Sequence, residues 1–129
     1  MTASADIRRK WRNGDAYGYP VLAGVRIFGG SVLGVTAALA AVPAGHADCV
    51  AIVGFASEAI DNRDGTTGDR LIEARKGVTN IPLSGATAAD IGKKVYASAD
   101  DTFTLTAGAL LAVGTIDAID ADGVWLKTL

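Results

Sequence analysis

The sequence predicts an all-β fold, a small antiparallel β-barrel or β-sandwich preceded by an extended N-terminal arm. Three observations carry this expectation. Apolar stretches of strand length recur at roughly 8–14-residue spacing with turn residues between them. Glycine supplies 16 of the 129 residues, while aromatics make up only 6%; the apolar content is therefore mostly aliphatic and broken into short pieces. No stretch shows the sustained 3.6-residue apolar period that a helix packing on a parallel sheet requires. Length fits one domain. Residues 1–20 are read as the arm and residues 21–129 as the β-domain.

The arm holds Arg8, Arg9, Lys10 and Arg12 with no acid among them, together with Trp11, Tyr17 and Tyr19, and has no regular apolar pattern. Val21 to Phe28 and Ser31 to Thr36, separated by Gly29-Gly30, read as a first hairpin. Ala37 to Ala41 suits a short helix or a strand continuation, and Pro43-Ala44-Gly45 marks a turn. Val50 to Phe55 is a strand-length apolar run. Asp61 to Asp69 reads as an exposed loop, Arg70 to Ile81 as an extended segment ended by Pro82. Thr87 to Gly92 fits one helical turn closed by glycine. The remaining strands are Lys94 to Ala97, Thr102 to Thr106, Leu110 to Ile119 and Val124 to Leu129. The last two flank Asp120-Ala121-Asp122-Gly123, whose Asp-Gly pair is a hairpin signal.

Charge and composition narrow the function. A net charge of −2 gives no electrostatic footprint for direct nucleic-acid binding, and the bases concentrate in the arm. From Asp90 to Asp122 six Asp face only Lys93 and Lys94. A basic arm on an acidic body, with Trp and Tyr interleaved, is the residue mixture that anchors interfaces. Arg8, Arg9, Lys10, Trp11, Arg12, Tyr17 and Tyr19 are therefore the expected partner contacts. With one Cys and one His, no internal disulfide and no Cys/His zinc site fits a single chain. The 19 uncharged residues from Ile27 to Gly45, behind a basic cluster, mimic an export signal or a membrane span. Arg26 just before the run and the glycines within it favour strands instead, so no membrane partner is expected.

No pattern of reactive residues builds a catalytic site. His46 precedes Cys49 by three residues, a spacing that turns the two side chains to opposite sides of a strand. Glu58 and Glu73, the two glutamates, would oppose each other in a hairpin centred between Gly65 and Thr66, as the carboxylate pair of a glycosidase would. Eight aromatics, three of them in the arm, are too few to line a sugar cleft. The Asp61 to Asp69 loop lacks the EF-hand pattern, with Arg63 at the third position and Ile72 at the twelfth, although Asp61, Asp64 and Asp69 could form a looser oxygen site. Phosphate loops and dinucleotide fingerprints are missing. No enzyme activity and no cofactor are expected.

Ile91-Gly92-Lys93-Lys94-Val95-Tyr96-Ala97, the Thr-rich Thr102 to Thr106, Leu111-Ala112-Val113-Gly114-Thr115-Ile116 and the closing Gly123-Val124-Trp125-Leu126 together resemble the head decoration (capsid cement) proteins of tailed bacteriophages. Val50 to Phe55 is similar to the central strand of that family, and Val25 to Ala41 to its opening strands. The likeness spans about residues 21–129, and the basic aromatic arm and the Asp-rich loop depart from it. The resemblance implies a non-enzymatic virion protein, assembled in the host cytoplasm, that binds the outer capsid surface and braces neighbouring major capsid subunits. It also implies a homo-oligomer, a trimer ahead of a dimer. The competing expectation is an exported β-domain acting as a surface or adhesion module.

Overall fold

The computed structural model describes residues 4–6, 8, 10 and 14–129. The described chain is built almost entirely from strands: β1 (Ala16–Pro20), β2 (Arg26–Ile27), β3 (Val32–Val35), β4 (Ala41–Pro43), β5 (Ala51–Ala56), β6 (Ile60–Asp61), β7 (Leu71–Arg75), β8 (Val78–Ile81), β9 (Lys94–Ala99), β10 (Thr102–Thr104), β11 (Leu111–Asp120) and β12 (Gly123–Thr128). A single 3-10 turn, Ala88–Asp90, lies before β9. The all-β antiparallel expectation holds.

Two five-stranded sheets result, in the orders β1-β7-β5-β3-β4 and β10-β9-β11-β12-β8, with β2 and β6 forming a separate ribbon. Every strand pair in both is antiparallel. In the first sheet β1 and β4 consequently run the same way, so closing it requires one parallel junction. Val21 makes it. Its amide donates to Arg70 O at 2.9 Å, extending the β1–β7 ladder, while the residue also bridges Ala41 in parallel and Leu22 N donates to Ala41 O at 3.1 Å.

Inside this closed sheet lies the first core, formed by Val21, Leu33, Ala41, Val42, Ala56, Ile72 and Ala74 and covered by Ile27 of β2 and Ile60 of β6. The second core, including Val32, Val95, Val113, Ile116 and Leu126, fills the space between the two sheets. β3 feeds both, Leu33 the first and Val32 the second, which is why all four of its residues are buried. Gly34 is required there: a Cβ would run into the Cys49 sulfur and lie 2.8 Å from Ala51 O.

This placement corrects the expected first hairpin. The Gly29-Gly30 turn forms, with Ser31 N donating to Phe28 O at 3.2 Å, but β2 and β3 diverge from it. β2 pairs with β6, and β3 pairs with β4 and β5. Both edges of β3 and both of its faces are occupied, leaving no side on which β2 could lie. The extended segment Arg70 to Ile81 also splits, into β7 of the first sheet and β8 of the second. Gly77, at φ 150°, turns the chain between them, a conformation that a Cβ disfavours. Ala37 to Ala41 is neither helix nor continuous strand; it is the turn into β4. The Asp120–Gly123 hairpin is present as expected, and the Asp120 carboxylate accepts bonds from Asp122 N and Trp125 Nε1.

Asn62 fastens the closing junction. It is 3% exposed in an otherwise solvated loop, and its Nδ2 donates to Val21 O, Leu22 O and Thr66 O at 3.0–3.2 Å. Its backbone adds bonds from Asn62 N to Val25 O and from Gly24 N to Asn62 O. Replacing Asn62 with Ala removes all three bonds and leaves Leu22 O without a donor, while Val21 O keeps Gly68 N and Thr66 O keeps Asp69 N; the expected loss is about 2 kcal/mol. Urea unfolding is expected to show this loss, while Asp64→Ala in the same loop changes stability by less than about 0.5 kcal/mol.

Candidate partner-binding surface

Arg8 and Lys10 are exposed, whereas Arg9, Trp11 and Arg12 lie outside the described residues. The segment read as arm is not uniform. Ala16–Pro20 form β1, in register with β7 from Ala16↔Arg75 to Pro20↔Leu71. Tyr17 and Tyr19 thus sit on a strand of the β-body. Tyr19 packs partly against the first core, leaving only part of its ring for a partner. Tyr17 is half-buried, with Lys76 Nζ 5.6 Å from its ring centre. None of the described residues before Asp15 belongs to a strand or to either core.

A second exposed feature is the β3–β4 tip. Ala37, Ala38 and Leu39 are exposed, and Leu39 has φ 66°, the left-handed region that favours glycine. Val50, also exposed, lies beside the tip through its amide bond to Val35 O at 2.9 Å. Leu39 is 60% exposed, so neither solvation nor backbone geometry selects it. A left-handed non-glycine residue with an exposed apolar side chain cannot be recognised from a sequence that offers only Ala-Ala-Leu-Ala.

Of the residues considered for chemistry, Cys49, His46, Asp61 and Asp69 are engaged locally. Cys49 donates to Ala51 O at 3.5 Å, and burial pushes its thiol up, away from the thiolate a nucleophile needs. His46 accepts the Asp48 amide on Nδ1 at 3.1 Å. Glu73 carries its carbonyl opposite Ser57 N, so Glu58 falls one residue past it, in the bend beyond β5, and the two glutamates do not share a pair. Asp61 is held by Arg63 at 2.7 Å, and the side-chain bond to this guanidinium keeps its carboxyl well below the usual range. Asp69 accepts Thr66 N and Thr66 Oγ1, each at 2.9 Å, and its carboxyl is lowered first by the amide bond. Among the described residues no group of three or more His, Cys, Asp or Glu is placed to hold a metal ion.

No family model, curated protein or solved structure matches this chain. The uncharged run Ile27 to Gly45 forms part of β2 and all of β3 and β4, and no helix among the described residues is long and apolar enough to cross a membrane.

Two outcomes follow from these geometries. Leu39→Gly relieves left-handed strain of about 1 kcal/mol, partly offset by glycine's greater unfolded-state freedom, and urea unfolding is expected to show a net gain of about 0.5 kcal/mol. For pH, carboxylates lowered in the folded state contribute stability above their unfolded pKa and lose it as pH falls. Asp61, Asp69 and Asp90 are of this kind, whereas desolvation raises Asp100 and gives the opposite sign. Three against one predicts that the urea midpoint drops as pH falls below about 4. Asp69→Asn is expected to lower the midpoint at neutral pH, and its difference from wild type is expected to shrink as pH falls and the wild-type carboxyl is protonated.

Proposed function

We propose that this chain is a virion structural protein, a capsid decoration or cement protein that binds the outer surface of a phage head. Its partner in this reading is the major capsid protein, and its role is to brace contacts between neighbouring capsid subunits. One observation supports it above the rest: both sheets and both cores are complete from Ala16 onward, with Asp15 adding one bond to Lys76 N, so the described residues before Asp15 are spare to the fold. A basic segment leading directly into a strand of the body is suited to lie along another protein's sheet or surface.

Repetition strengthens such a contact. A homo-oligomer, a trimer in the reading favoured by the sequence resemblance, presents several arms at once, and linked weak contacts become a firm one by effective concentration. The exposed Leu39 and Val50 tip offers each copy a second apolar contact. The activity needs no bond making, in keeping with Cys49, His46, Asp61 and Asp69 all being tied into local hydrogen bonds.

The test is occupancy on phage particles released by cells that encode the chain, read by quantitative mass spectrometry of purified heads. The full chain is expected at a fixed ratio to the major capsid protein. A chain lacking residues 1–14 is expected to fold, by circular dichroism, and to be lost from the heads. Heads without the full chain, or undiminished occupancy by the truncated one, would overturn the reading.

A further inference from the structure

At the corner where the chain passes from β7 to β8, the two sheets part and leave an open cleft of about 400 Å³. Phe55 of β5 lies in its wall, Gly30 and Ser57 at one side, and Arg75, Lys76, Val78, Thr79 and Thr128 at the other. The cleft belongs to neither the arm nor the β3–β4 tip. Two properties mark it out.

The first is an open backbone edge. β8 is the last strand of its sheet, paired only with β12. Thr128 N donates to Gly77 O at 3.0 Å and Gly77 N to Thr128 Oγ1 at 2.9 Å, which makes Gly77 and Thr128 a hydrogen-bonded pair. Antiparallel alternation then directs the backbone of Thr79 and Ile81 to β12 and that of Val78 and Asn80 to the free side. Asn80 O receives only a long 3.5 Å contact from the Thr79 hydroxyl. The other edges are blunted: Val21 lies against β4, β1 ends in Pro20, and β10 is three residues long with a register shift. β8 carries neither Pro nor Lys, and Val78 is 51% exposed.

The second is charge. Arg75 and Lys76 line the cleft, and Lys127 stands opposite Val78 in the register. None of the three forms an ion pair among the described residues; Glu73, two positions before Arg75, and Asp15, whose carbonyl accepts the Lys76 amide, do not pair with them either.

From this juxtaposition we infer that the β8 edge and its cleft bind an extended, acidic segment of a partner protein, which adds a strand beside Val78–Ile81 and sets its carboxylates against Arg75, Lys76 and Lys127. Main-chain bonds to Val78 and Asn80 supply the strand register, and alternate side chains of the segment enter the cleft over Phe55. The arm of a second copy does not fit, because it brings Arg8 and Lys10 to a basic site. This inference stands apart from the capsid reading, and its test uses no capsids.

The probe is a short, end-blocked, labelled peptide alternating valine with aspartate, titrated with the full chain and followed by fluorescence anisotropy. Saturable binding is expected, weakened roughly tenfold or more by the double change Arg75→Glu and Lys76→Glu. Peptide-side variants keep the test independent of folding: lysine in place of aspartate, or N-methylation of alternate amides, is expected to abolish binding. No binding of the acidic probe, equal binding of the lysine or N-methylated peptide, or no effect of charge reversal overturns the inference. So does tighter binding by a peptide of residues 1–14, or concentration-dependent self-association through β8 that excludes the probe.

Discussion

A closed sheet of five strands cannot alternate direction all the way round, and the rest of this protein follows from how that single parallel junction is made. Val21 carries it by extending β1 along β7 while bridging Ala41 of β4. The junction is too short to hold itself by a ladder, so Asn62 reaches across from the loop before β7 and collects the carbonyls of Val21 and Leu22. Once closed, the sheet has an inside and an outside. The inside takes the first core; the outside of β3 and β5 takes the second sheet. A buried side-chain amide whose nitrogen reaches three carbonyls at the closure point ties the order of strands to one loop conformation.

That closure also separates what folds from what is free to bind. The described residues preceding β1 contribute to no core, so Arg8 and Lys10 are not needed to build the body. Cys49, His46, Asp61 and Asp69 serve as turn and loop fasteners. What remains outward is a strained apolar tip at Leu39, an unblunted strand edge at β8, and the basic corner between the sheets. The segment before β1 and the tip bear on the proposed lattice bracing, whereas the β8 edge and the basic corner bear on the separate proposal of an acidic partner segment.

Much of the fold was legible in the residues because local chemistry dictates it. The Asp120–Gly123 hairpin, the glycine-closed turn before β9 and the strand from Val50 are all encoded within a few positions. Long-range facts were not. Continuous burial of β3 reads from sequence as one arm of a hairpin, since periodicity alone does not reveal that two layers cover it. The split at Gly77 is hidden because β7 and β8 have the same extended pattern although they enter different sheets. Asn62 is invisible for a related reason: an Asn in an Asp- and Gly-rich loop looks solvated, and its burial depends on Val21, 41 positions away. For the binding residues, Tyr17 and Tyr19 were recognisable as aromatic but not as members of a strand, because a single glycine between them masks the alternation.

Electron cryomicroscopy of phage heads carrying the chain bears most directly on the central claim that a self-contained β-body is held on a lattice by what precedes it. The expected map shows the closed five-stranded sheet and its second layer on the outer face of the shell, with density continuing from Ala16 onto a capsid subunit. A map with bare outer faces, or one in which the body touches the shell while the residues before Ala16 point away from it, would contradict the account.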